Sequence, residues 1–250
     1  MKSKYFTVEV KPRIEASFQA LGAFADGDLL FDWTAFKIPR GPARLIDATI
    51  ISKSADGTVN SHALNLYFAK TRDGHKAPIT LGAIHATALG STTSSNEIIG
   101  ACQSEEADTL VGLDHLTIQT AGIRGVGPNM VLQGEPNSTD GDLAIPNIGF
   151  DTLYVAGISV DGTPSFASTV TCTGVQAITQ AVLAVGTTAA DDVFAVGDVL
   201  HDENDRPLGT VKTITNATEM IMTANLANVT INAKDVYCLN PIKLILSFEN

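Results

Sequence analysis

The run Ala43-Arg44-Leu45-Ile46-Asp47-Ala48-Thr49-Ile50-Ile51-Ser52 is rich in β-branched residues and leads to the turn dipeptide Asp56-Gly57. His62-Ala63-Leu64-Asn65-Leu66-Tyr67-Phe68-Ala69-Lys70 follows and ends at a second such dipeptide, Asp73-Gly74. Leu64, Leu66 and Phe68 stand at alternate positions, the period of two that turns one face of a strand into a core. Asp-Gly between alternating runs is a hairpin signal, because both residues tolerate the backbone angles of a tight turn. The two runs are therefore expected to pair as a β-meander, with Leu64, Leu66 and Phe68 on one buried face. The same spacing returns at the C-terminus as Leu244, Leu246 and Phe248, within Ile242 to Glu249. A strand so apolar is expected at the centre of a sheet.

Upstream, Tyr5 to Val10 alternates and reads as an opening strand, which Pro12 stops because it has no amide hydrogen for a central ladder. Gly27-Asp28 begins Leu29-Leu30-Phe31, and Leu113 to Gln119 and Thr152 to Ser159 also read as strands. Ser94 and Glu97 have capping-box spacing ahead of Ile98-Ile99-Gly100-Ala101-Cys102, which predicts one helix. Gly122 to Gly149 is rich in Gly and Pro and reads either as a long surface loop or contact arm, or as an edge strand interrupted by turns.

From Phe166 to Leu239 short strands of Thr, Val and Ala are punctuated by Gly186, Gly197 and Gly209. Val196 to Asp202 turns at Glu203-Asn204-Asp205-Arg206-Pro207 into Leu208 to Ile214, and Glu219 to Thr223 is expected to pair with Asp235 to Leu239. Such strands close into a small barrel. The C-terminal strand then returns to the first unit. The predicted organisation is all-β: a jelly-roll-like β-sandwich main domain, 1–165 plus 241–250, carrying an inserted small β-barrel domain, 166–240.

Of the 250 residues, 44% are hydrophobic and 17% charged, and mean hydropathy is +0.16. This composition excludes a disordered chain. It also leaves more neutral surface than the roughly 25% charge of a typical domain would, which implies that part of the surface is covered by copies of the chain or by another protein. Net charge is −11, against direct nucleic-acid binding, which needs a concentrated basic face. Residues 1–76 hold eleven of the sixteen Lys and Arg against eight acids, a net of +3, and the rest carries −14.

Cys102, Cys172 and Cys238 form no CxxC spacing and read as buried small apolar residues, and Asn137, Asn216 and Asn228 read as accidental sequons. No apolar run follows Lys2 and Lys4, so neither a signal peptide nor a membrane span is expected, and synthesis in a reducing host cytoplasm is.

No catalytic, cofactor or metal site is expected. Gly122-Ile-Arg-Gly125-Val-Gly127 reverses the dinucleotide fingerprint, and no Gly-Lys-Ser/Thr loop occurs. His62, His75, His85, His115 and His201 lie ten or more residues apart and read as surface or interface histidines. Cys102 with His115 lacks anything to activate the thiol. Asn137-Ser-Thr-Asp140-Gly-Asp142 and Asp202-Glu203-Asn204-Asp205 are oxygen-rich, but neither has Ca²⁺-loop spacing with a distal Glu, and Asp, Asn and Gly are ordinary turn residues. Trp33 is expected to fill a core.

The order Gly-Asp-Val-Leu, Leu-Gly-Thr-Val, Asp-Val-Tyr, Asn-Pro-Ile, Leu-Ser-Phe from Gly197 to Phe248 resembles structural proteins of tailed bacteriophages, particularly head or decoration proteins of marine phages. Phe6-Thr-Val-Glu-Val-Lys-Pro and Leu30-Phe-Asp-Trp are similar in character. The resemblance implies a non-enzymatic virion component, repeated many times, that binds copies of itself and a capsid lattice. A capsid decoration or cement protein is the expected form: a homo-oligomer, with a trimer as one form, on the capsid surface. Its partner would be the major capsid protein, with no nucleic acid or membrane. Alternatives are a carbohydrate-binding or adhesion β-module and a tail-tube or neck protein. The charge split assigns Lys2, Lys4, Lys11 and Arg13 to the capsid-facing interface, with the inserted barrel projecting outward.

Overall fold

In the computed structural model, Ile242–Glu249 is hydrogen-bonded along both edges, to Tyr5–Val10 on one side and Ala43–Lys53 on the other. The structure describes residues 4–53, 63–74, 76–88, 95–105, 110, 116–122, 127–135, 151–161 and 163–250. The protein is nearly all β. In chain order the first unit comprises β1 (Tyr5–Val10), the single turn of helix α1 (Ala16–Gln19), β2 (Leu29–Lys37), β3 (Ala43–Lys53), β4 (Ala63–Lys70), β5 (Ile98–Ser104), β6 (Leu116–Ala121), β7 (Met130–Leu132) and β8 (Thr152–Asp161). β9 (Thr171–Cys172), β10 (Val182–Gly186), α2 (Ala190–Val193), β11 (Val199–Asp202), β12 (Pro207–Asn216), β13 (Glu219–Met222) and β14 (Val236–Cys238) follow, and β15 (Ile242–Glu249) closes the chain.

One nine-stranded antiparallel sheet runs β1-β15-β3-β6-β5-β4-β8-β2, with β7 added on β3. It bends at its middle, where β5 and β6 share a single pair, Ser104 with Ala121, and Gly122 N–H donates to the Gln103 carbonyl at 2.8 Å. The halves β1-β15-β3-β6 and β5-β4-β8-β2 thus face each other across one core. Phe36 of β2 stacks 6.3 Å from Phe248 of β15 across the gap. The chain visits the halves in the order first, second, first, second, second, first, second, first for β1, β2, β3, β4, β5, β6, β8 and β15, which is jelly-roll connectivity.

Val10, Phe36, Leu45, Ile50, Leu64, Leu66, Phe68, Leu153, Leu244, Leu246 and Phe248 all point into this core. Gly157 of β8 is there for close approach: a Cβ on it would lie 2.3 Å from the Phe31 ring.

Two expectations are corrected. β3 and β4 are not a meander but lie in opposite halves, β3 against β15, β6 and β7 and β4 against β5 and β8. Alternation fixes which face of a strand is buried, and two inward faces satisfy it equally well side by side or across a core. Asp56-Gly57 and His62 lie outside the described residues. The predicted helix after Glu97 is strand β5, where β-branched Ile98 and Ile99 join the β4 ladder. The Glu97 carboxylate accepts the Ile79 N–H at 3.0 Å, and Ser94 lies outside the described residues.

The second sheet runs β14-β11-β12-β13-β10-β9. Its ends meet, because Thr171 bridges Asp235, Cys172 N–H donates to the Lys234 carbonyl at 2.8 Å and Val236 N–H to the Val170 carbonyl at 2.8 Å. The six strands therefore close into a small barrel around Val170, Leu183, Val185, Leu200, Leu208, Val211, Met220, Met222 and Val236. Here the expected partner of Glu219 to Thr223 is corrected: β13 pairs with β12 and β10, and β14 pairs with β11. Phe166 packs in the jelly-roll core, edge-on to Phe24 at 6.0 Å.

Candidate interface

β1 is one edge of the nine-stranded sheet, and Glu9 on it and Glu15 beyond it flank the cations Lys11 and Arg13. Lys11 Nζ lies 3.0 Å from Glu9 Oε1 and Arg13 4 Å or less from Glu15, at 3.8 Å. All four side chains are about half exposed. The ammonium of Lys11 beside Glu9 holds that carboxyl below its ordinary value. The N-terminal cations thus carry counter-charges that the running sum along the sequence conceals. Lys4 sits at the other end of the strand, roughly 20 Å away at ~3.3 Å per residue, where it exchanges two backbone hydrogen bonds with Asn250. Lys2 lies outside the described residues. The structure therefore gathers Lys11 and Arg13 but not Lys4.

Around Lys11 it gathers two other cations that reading the sequence missed. β15 and β3 place Lys243 opposite Ile51, and β3 and β6 place Lys53 opposite Leu116. Lys11, Lys53 and Lys243 line a cleft of about 290 Å³ between the outer face of the sheet and the barrel, floored by Ile51 and Leu116 and walled by Val196, Asn240 and Pro241. Lys53 Nζ is bonded to both oxygens of Asp198 at 2.5 Å, tying the sheet to the barrel segment before β11. Lys243 reaches Glu9 at 4.0 Å. Only strand register brings these residues together, and register is not written in any local motif.

The same junction is held by further hydrogen bonds to and from the backbone. Gln19, buried on α1, donates its amide to the carbonyls of Ile14 at 2.7 Å and Cys238 at 2.9 Å. Ile14 N–H donates to the Leu239 carbonyl at 2.9 Å, and Asn240 donates to the carbonyls of Lys11 and Pro12, both at 3.0 Å. Ser17 N–H donates to Asp205 at 3.1 Å.

The titratable groups are arranged as structural parts. All three cysteines are buried, and burial pushes the Cys102 and Cys238 thiols up to about 12 and the Cys172 thiol to about 11. A thiol that keeps its proton is a poor nucleophile. Of the histidines expected at a surface or interface, the structure buries His201 and half-buries His85. His85 rests against the Phe24 ring at 4.4 Å with Nδ1 3.9 Å from Asp28, and His201 is buried with Nδ1 2.8 Å from the Asp205 carbonyl. His62, His75 and His115 lie outside the described residues.

In the acidic turn, buried Asp202 accepts from Asn204 N–H and Arg206 N–H at 3.0 Å each and from Arg206 Nε at 2.7 Å, so the turn is closed by its own chain. Lys234 pairs with Glu203. The loop Asn137 to Asp142 lies outside the described residues. Among the described residues no group of three or more His, Cys, Asp or Glu is placed to hold a metal ion. Trp33 lies half buried in a small cluster with Leu29, Leu81 and Ala156, its indole N–H donating to the Ile79 carbonyl at 2.8 Å.

On the outer face of the other half-sheet a shallow trough of about 320 Å³ is lined by Asn65 and Tyr67 of β4, Ala101 and Gln103 of β5, and Glu105. Register sets Asn65 beside Gln103 and Tyr67 beside Ala101, so the small Ala101 leaves room next to the phenol ring.

The fold and its junction define an all-β protein, a jelly roll with a closed barrel set between its last two strands. Comparison of the chain with protein families, with curated proteins and with solved structures returns no match.

Proposed function

We propose that the protein is a non-enzymatic structural component of a virion, a decoration or cement protein that binds the outer capsid lattice of a tailed bacteriophage as a homo-oligomer. The observation that carries this reading is the architecture: eight jelly-roll strands whose titratable groups serve packing and turns, with a barrel displayed from one end. Double-sheet jelly rolls recur in capsid proteins and in lectins, so the fold narrows the function without fixing it. The neutral composition and the similarity of Gly197 to Phe248 to phage structural proteins support the capsid side. The cleft of Lys11, Lys53 and Lys243, with Arg13 two residues beyond Lys11, is the proposed lattice-facing side, and Lys4 at the far end of β1 is not part of it.

Co-sedimentation with bare phage heads tests the proposal. Binding that saturates at a fixed number of copies per head supports it, and a chain left wholly in the supernatant at micromolar concentration contradicts it.

The trough of Asn65, Tyr67, Gln103 and Glu105 favours one second reading, a carbohydrate-binding module. Planar amides and a carboxylate can take pairs of sugar hydroxyls, and a ring beside them offers a stacking face. Glycan-array binding lost in Tyr67→Ala would establish this reading and displace the first.

A further inference from the structure

Five of the exposed large apolar side chains fall in one place. Val175 is 73% exposed, Ile178 52%, Val182 37%, Val229 41% and Ile231 40%. They come from two segments, 174–182 and 221–232, that run antiparallel on the barrel. Gly174 N–H donates to Asn232 at 2.7 Å, Gln176 N–H to Thr230 Oγ1 at 2.8 Å, and Leu226 N–H to the Gln180 carbonyl at 2.8 Å. That register sets Val175 opposite Ile231 and Ala177 opposite Val229. Gln176 and Thr230 turn inward, 8% and 1% exposed; the Gln176 N–H donates to Thr230, and the Gln176 side chain exchanges hydrogen bonds with the backbone of Ala184 on β10. Their apolar neighbours must then face water.

The segments share a second property. No charged residue occurs between Asp161 and Asp191 or between Glu219 and Lys234. The ribbon is therefore an apolar ridge rimmed by Thr, Asn and Gln, on a chain whose net charge is −11. Interfaces have this anatomy, with charge depleted at the centre and a polar rim.

We infer that this ribbon is the surface through which the protein binds further copies of itself. The partner is argued from charge. Two chains of −11 repel wherever their acidic faces meet, and the ribbon is a large face on which they approach without juxtaposing like charges. A nucleic acid or an anionic membrane would need cations here, and a sugar would want an aromatic ring. Neither segment contains either. The ribbon presents seventeen exposed or half-exposed residues, close to the roughly 20–30 that one partner contributes to a standard interface.

This inference rests on the self-association part of the proposed function and not on the capsid. Its test is sedimentation equilibrium on the full chain, with Val175→Glu/Ile231→Glu as the variant and Leu21→Glu, an exposed apolar site outside both the ribbon and the lysine cleft, as the control. The variant's circular-dichroism melt, matched to the parent's, shows that it is folded. If it melts early, Val175→Thr/Ile231→Thr replaces it. The parent is expected to sediment as an oligomer whose dissociation constant rises on the order of a hundredfold in the ribbon variant and stays unchanged in Leu21→Glu. A folded variant that still associates like the parent overturns the ribbon assignment and leaves the oligomer standing. A parent that is monomeric at millimolar concentration overturns both. A parent that is monomeric alone but floats with neutral lipid vesicles through the ribbon identifies a membrane partner and overturns self-association.

Discussion

The jelly roll and the barrel are both antiparallel, yet they are built by opposite strategies. The jelly roll pairs the first strand of the chain with the last, Tyr5 with Glu249, and fills its centre with Phe24, Phe31, Phe36, Phe68, Phe166 and Phe248. The barrel uses strands that are mostly neighbours within Thr171–Cys238, around Leu, Val, Met and two cysteines, with Phe194 the one phenylalanine in its core. One core depends on the two ends of the chain arriving together. The other is complete within a continuous segment. Their responses to damage should therefore differ in kind.

The largest difference is expected on shortening the chain. Removing 242–250 takes the strand between β1 and β3 and with it Leu244, Leu246 and Phe248, worth about 2–5 kcal/mol each against a total of about 5–15. The jelly roll should be unfolded in this variant by near-ultraviolet circular dichroism. Replacing 168–238 by a short linker should instead leave a cooperative melt, because Phe166 remains with the first core and the barrel brings its own. If the first variant melts like the parent, or the second fails to melt cooperatively, the contrast between the cores is lost.

Overpacking is the next perturbation. Gly157→Ala forces a Cβ against the buried Phe31 ring and should destabilise the jelly roll by about 1–3 kcal/mol in urea titrations, while Gly197→Ala, with nothing within 4 Å, acts only through its positive φ of 93°. Breaking the strut between the units comes third. Lys53→Met leaves Asp198, 12% exposed, without its cation and should cost about 1–3 kcal/mol, mostly by loosening the barrel from the sheet. Limited proteolysis near Asn240 would register it.

The smallest effect is a pH dependence confined to the barrel. Burial holds the His201 imidazole below its ordinary value near 6.5, despite the Asp205 carbonyl that opposes the shift. As the pH falls through 6.5 the unfolded chain takes up a proton before the folded one, so stability present above that pH is lost below it. His201→Gln should flatten this slope below pH 6.5, and a slope that persists would assign the loss to other groups.

The sequence reveals the strand faces better than the strand partners. Leu64, Leu66 and Phe68, and Leu244, Leu246 and Phe248, are all fully buried as their spacing demands, because the side chain's side of a strand is a local property. That β3 lies across the core from β4 follows from the path of the chain between sheets, which a local Asp-Gly does not encode. Glu97 misled for a related reason: its spacing to Ser94 mimics a helix cap, while its carboxylate closes the loop at Ile79. The candidate interface was legible only in part. Lys11 and Arg13 stand out as N-terminal cations, but Glu9 and Glu15 beside them, and Lys53 and Lys243 across the sheet, become relevant only through register. The apolar ribbon was foreshadowed by the surplus of neutral residues, and its location needed the pairing of 174–182 with 221–232.

Native-state hydrogen exchange on the intact chain tests most directly that the protein is two separate cores, one of them completed by its last strand. The account predicts that amides of β1, β3 and β15 exchange with one common free energy, and those of β10 through β14 with another, each group following its own denaturant slope. A single free energy and slope shared by both groups, or β15 exchanging well ahead of β3, would contradict it.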